Sequence, residues 1–175
     1  MHSVSSIING VFTKAVIVAL LVFGVTALTN NDPLWFWKVF DAQAEALTVY
    51  WEGDTYVFHP GDPGYQEIMA AFAKGIARPA GFEWEVALSE ASIQHYHTEA
   101  KMLEVSFAEP VQVHTRHPFP KAKTYLVPLD ETHADWRRVF AFTGVVPRTS
   151  GPLDMHEENF ETLFQAVEQA IATQG

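Results

Sequence analysis

LTVYWEGDTYVFHPGDPGYQEIMAAFAKGIA, residues 47–77, changes its hydrophobic period once, and that change sets the fold class. From Leu47 to His59 apolar and polar residues alternate. The alternation breaks at Gly53-Asp54, a tight-turn dipeptide of the kind that joins antiparallel strands, so a β-hairpin is predicted. Pro60 closes the second strand. Gly61-Asp62-Pro63 then supplies a helix start, with Asp62 as cap and Pro63 in the first turn. Tyr65, Ile68, Met69, Phe72 and Ile76 recur at the spacing of one helical face, giving a helix that runs to Ala77 and stops before Pro79.

Downstream of this unit, FEWEVAL (82–88) reads as a short strand and residues 89–100 as a weaker helix with Ile93, Tyr96 and Ala100 inward. From Met102 the period returns to two. Leu103, Val105 and Phe107 share one face against Glu104 and Ser106, the pattern of a half-buried strand ending at Pro110, with Val111 and Val113 continuing it past a bulge. HTRHPFPKAK (114–123) is a proline-broken loop and the one locally positive patch. TYLVPL (124–129) and RRVFAFTGVV (137–146) make a second antiparallel pair, and Pro128, which cannot donate to a ladder, belongs at an edge or a bulge. After PRTSGP (147–152), Phe160, Leu163, Phe164, Val167 and Ile171 form a helical stripe with acids in the first turn. This order predicts an α+β domain, residues 47–175, with a largely antiparallel sheet and helices packed on one face.

Upstream, AVIVALLVFGVTALT (15–29) carries no charge, and Lys14 is the only charged side chain between Val4 and Thr29. A helix needs roughly 20 residues to cross the hydrocarbon core, so residues 9–29 suffice as a transmembrane helix if Lys14 snorkels to the headgroups. By the positive-inside tendency residues 1–8 form a short cytoplasmic N-terminus, and the bulk of the chain lies outside the cytoplasm, as in a single-pass protein of the cell membrane. The competing reading is a signal peptide cleaved after residue 27, since Val25-Thr26-Ala27 has the small-x-small pattern of a processing site. PLWFWKVF (33–40) follows. Trp35, Phe36, Trp37 and Phe40 read as an aromatic belt, and Asp32-Pro33 as the cap of a juxtamembrane helix or connector over residues 30–46.

TYVFHPGDPGYQEI (55–68) and LEVSFAEPV (103–111) carry a resemblance to uncharacterised single-pass, membrane-anchored extracytoplasmic bacterial proteins. It covers residues 47–173 at most. The shared motifs are structural, and the family has no assigned reaction, so the resemblance implies topology and anchoring only.

The formal charge of −10, from 21 acids against 11 basic residues, with no Lys/Arg cluster longer than a pair, argues against nucleic acid as a partner. The absence of cysteine removes disulfides, thiolate metal sites, c-type haem, a cysteine nucleophile and lipoprotein acylation. No G-x-S-x-G elbow, H-E-x-x-H helix, P-loop or dinucleotide fingerprint occurs. Carboxylate pairs such as Glu83 with Glu85, or Glu157 with Glu158, are too common in an acidic chain to signify a glycosidase. Of the eight histidines, His95, His97, His114 and His117 are the candidate metal ligands, with Zn or Cu the suitable ions. On a helix, however, His95 and His97 point about 200° apart. Singly hydrogen-bonded histidines are the default, and a b-type haem held by two of them stays open without a pattern that indicates it.

The sequence therefore predicts a non-catalytic domain without cofactor, anchored in a lipid bilayer and docking on a larger membrane protein complex. Its contact residues would be Trp35, Phe36, Trp37 and Phe40 of the collar and Arg116, Lys121 and Lys123 of the basic loop. The alternative is a sensor domain that uses the histidines to bind a small ligand or a metal.

Overall fold

The structure, a computed structural model, describes residues 4–30, 32–37, 39–83, 86–130, 134–135, 137–143 and 151–174, with side chains from Ile8 onward. Glu85 and residues 144–150, the end of the predicted strand at 137–146 and most of the loop after it, lie outside the described residues. Helix α1 (Val4–Thr29) contains a stretch, Ile8–Thr29, that is long and apolar enough to cross a membrane, with a mean hydropathy of 2.3. Beyond it the chain forms β1 (Ala46–Trp51), β2 (Asp54–Phe58), α2 (Tyr65–Ala77), β3 (Gly81–Phe82), α3 (Glu90–Thr98), β4 (Lys101–Val111), β5 (Ala122–Pro128), β6 (Arg138–Phe142), β7 (Leu153–Asp154) and α4 (Glu157–Ala172). The class is α+β. The seven strands make one antiparallel sheet in the order β2-β1-β4-β5-β6-β7-β3.

The hairpin forms one residue earlier than the Gly53-Asp54 signal indicates. Trp51 pairs with Asp54, so Glu52 and Gly53 make the turn, with φ of 53° and 96°. Two-residue hairpin turns need this left-handed backbone because its twist matches that of the strands. Helix α2 likewise starts past its predicted cap. Asp62 accepts a hydrogen bond from the His59 amide at 2.7 Å, and Gly64, at φ 86°, stands at the N-cap. A Cβ on Gly64 would overlap Ala170 of α4, so the close approach of the two helices depends on glycine there.

Period two along the strands divides the sheet into two faces. Leu47, Val49, Leu103, Val105, Tyr125, Val127, Val139 and Ala141 meet α2 and α4 in the main core. Both long helices thus share one face. The other face carries a smaller cluster, in which Met102, Leu126 and Phe140 pack under Tyr96 of the short α3. Ser89 caps α3 by accepting from the Ser92 amide at 3.0 Å. Among the described residues of the FEWEVAL segment only Phe82 joins a strand, and Leu88 is buried in the smaller cluster.

Of the segment read as a juxtamembrane helix or connector, the described residues form no helix. Asp32 accepts from the Leu34 amide at 2.9 Å, and the Trp35 and Trp37 amides reach back three residues to the carbonyls of Asp32 and Leu34, so residues 33–36 form turns. Residues 39–44 run without helix to Glu45, whose amide donates to the Ser106 carbonyl at 2.7 Å. Packing explains the difference. Phe40 is buried, edge-on to Phe72 at 5.9 Å and to Phe107 at 5.8 Å, and the Tyr65 hydroxyl donates to the Ala44 carbonyl.

Candidate functional site

The foot of α1 is locked to the domain. Its last carbonyls, of Thr26 and Ala27, accept from the amides of Asn30 and Asp32 at 3.0 Å each. Those two residues, both buried, then reach across to the loop after β4. The Asn30 side-chain amide donates to the Thr115 carbonyl at 3.3 Å, and His114 Nδ1 donates to the Asp32 carboxylate, 3.0 and 3.1 Å from its two oxygens. Asp32 is 3% exposed and accepts from both His114 and the Leu34 amide, which offsets the cost of burying its carboxylate. Three rings add an apolar layer, since Phe23 of α1 lies 6.2 Å from Trp35 and 5.7 Å from Phe36.

Beside this clamp is a cleft of about 260 Å³ lined by Trp35, Ala77, Pro79 and residues 114–117. Among its lining residues, His117 is stacked on Phe82 at 5.4 Å. Burial lowers the His117 pKa from the ordinary imidazole value, the Arg116 guanidinium lowers it further, and Asp154 acts the other way. Around the clamp Leu34, Phe36, Trp37 and Val39 remain 45 to 53% exposed.

Of the collar residues, Phe36 and Trp37 are therefore accessible, Trp35 is partly enclosed, and Phe40 belongs to the core. The basic loop divides. Arg116 is exposed at the cleft, whereas Lys121 and Lys123 line a separate depression with Pro110 and Phe142, and Lys123 Nζ donates to the Ala108 carbonyl at 2.8 Å.

The four candidate ligands are not brought together. His95 lies 3.5 Å from Glu99 on the exposed side of α3. His97 stacks on Tyr50 at 4.1 Å and sits 3.6 Å from Glu104, while burial and then that carboxylate raise the Tyr50 pKa. His114 and His117 face the clamp and the cleft. Among the described residues no group of three His, Cys, Asp or Glu side chains could hold a metal. No family model, curated protein or solved structure matches the chain.

Sequence reasoning passed over Asn30 and read Asp32 as a helix cap. The Asp32-Pro33 pair gave a real signal, a side chain accepting from a following backbone amide, but Asx turns and helix caps share that signal. The buried Arg138, 2.7 Å from Glu83 and 3.2 Å from Asp154, also went unread. It joins three segments whose proximity exists only in the folded sheet.

Proposed function

We propose that the chain is a membrane-anchored accessory domain on the outer face of the cell membrane, without a reaction of its own, docking on a larger membrane protein complex. The observation that supports this reading is the clamp: Asp32 with His114, and Asn30 with Thr115, fix the domain's orientation relative to α1. A flexible tether would suffice to keep an enzyme near the bilayer. A fixed orientation serves a domain that must present one surface to a neighbour. The exposed rings of Phe36 and Trp37 sit at that junction, where they would face the flank of a partner's transmembrane region. Aromatic residues at such centres commonly contribute about 2 kcal/mol or more each.

Protease added to intact spheroplasts tests the orientation, and removal of the domain is the expected outcome. Co-purification tests the docking. Phe36→Ala together with Trp37→Ala should release membrane proteins that accompany the wild type, while the chain stays inserted and folded because neither ring is in the core. Retention of the partner would reduce these rings to a lipid belt and overturn the docking surface.

A further inference from the structure

We propose that the clamp at the foot of α1 is a lock on a proteolytic site: it closes the Ala27–Leu28 bond to a signal peptidase in the folded protein, and its opening lets such an enzyme release the domain from the membrane. The site is Val25-Thr26-Ala27, whose small side chains at the third and first positions before the bond suit that specificity. Hydrolysis would break the C–N bond between Ala27 and Leu28. Water would supply the new carboxylate oxygen on Ala27 and the proton taken up by the Leu28 amine, so no further reactant is needed.

A peptidase takes its substrate as an extended strand and pairs the backbone on either side of the bond with its own. Here that backbone is already used. Residues 25–28 lie inside α1, which is continuous from Val4 to Thr29. The Thr26 and Ala27 carbonyls accept from the amides of Asn30 and Asp32 at 3.0 Å each, and the Thr26 and Thr29 hydroxyls donate to the carbonyls of Val22 and Val25 at 2.9 Å. The side chains are accessible, Val25 being 63% and Leu28 83% exposed. An extended conformation is what the folded site lacks.

Helix ends fray, so the hydrogen bonds of a last turn alone would not hold the site shut. The clamp adds tertiary contacts that a free helix end does not have. Asp32 links the two: its amide holds the Ala27 carbonyl, the carbonyl of the bond to be cut, while its buried carboxylate holds His114, 82 residues away. Attack on that carbonyl needs its oxygen to be taken over by the donors of an enzyme, and the Asp32 N–H occupies it. Asn30 repeats the arrangement, its amide on the Thr26 carbonyl and its side chain on the Thr115 carbonyl. Phe23, one turn before the site, packs against Trp35 and Phe36 beyond it. Unwinding residues 25–28 therefore requires these contacts to break together with the helix, and the fold of the domain protects the bond that ties it to the bilayer.

The inference rests on insertion of α1 with the domain outside, which protease treatment of spheroplasts reports separately. The full chain with a C-terminal tag, expressed in a bacterial host and followed by pulse-chase and immunoblot, tests the lock. The wild type should stay full length. Asn30→Ala with Asp32→Ala should yield a soluble product of residues 28–175 at roughly ten times the wild-type level or more, the effect of losing one hydrogen bond to a charged group. Ala27→Phe in that background should restore the full-length chain, because a large ring does not fit where a small residue is selected. Tyr96→Ala, which weakens the domain through the smaller cluster and leaves the clamp intact, should remain full length and so separates the lock from stability in general. A wild type cut after Ala27, a clamp variant that stays full length with its domain outside, a product that survives Ala27→Phe, or equal release by Tyr96→Ala would each overturn the proposal.

Discussion

His95-Tyr96-His97 and His114-Thr115-Arg116-His117 look alike in sequence, two histidine pairs beside an aromatic or a basic residue, yet the fold spends them in different ways. On α3 the pair is split by helical geometry. Tyr96 goes into the smaller core, and His97 lies over Tyr50, which β1 brings next to Met102 of β4. In the loop after β4, no regular structure imposes a direction, and His114 turns to a carboxylate 82 residues away while His117 closes a cleft. The first pair serves the local packing of a helix on a sheet. Of the second, His114 joins the domain to the foot of α1 and His117 lines the cleft beside it. Identical side chains thus report nothing about role until their long-range neighbours are known.

The sharpest way to break this contrast is Tyr96→Ala. Removing a large buried ring should cost about 3–5 kcal/mol in chemical denaturation of the full chain, because Leu88, Met102, Leu126 and Phe140 cannot close the cavity. The coupling of α1 to the domain, read as the spin-label distance between residues 22 and 121, should stay narrow. A cost below about 1 kcal/mol would mean that α3 is not held by this cluster.

Asp32→Ala should act the other way round. It leaves the His114 and Leu34 N–H groups without their acceptor, a loss of about 1–3 kcal/mol, and it should broaden the same distance distribution. His97→Ala, the matching change in the other pair, should cost about 1 kcal/mol or less and leave that distribution unchanged. Equal broadening by both variants would remove the distinction between the two regions.

The smallest expected effect concerns pH. The His117 pKa is lowered in the folded protein, so the unfolded chain takes up the proton first on acidification. The ring's contribution is therefore present above the ordinary value of 6.5 and is lost as pH falls through the folded value. Thermal melts at pH 7.5 and 5.5 should show a drop that His117→Asn reduces. An unaltered drop would assign the acid sensitivity to other groups.

The sequence alone determined the elements whose period is local. The hairpin, α2, the alternation of β4, the β5–β6 pair and α4 each bury one side, and a repeat of two or 3.6 records that fact without reference to what covers it. The length and polarity of α1 are of the same kind. Tertiary structure decided what repeats cannot encode. Phe40 became core because Phe72 of α2 and Phe107 of β4 pack edge-on against it, in a stretch, residues 39–44, that forms no helix. Asp32 became a clamp because the loop after β4 delivers His114 to it. In each case the partner is far away in sequence, so the free energy that fixes the side chain has no local trace.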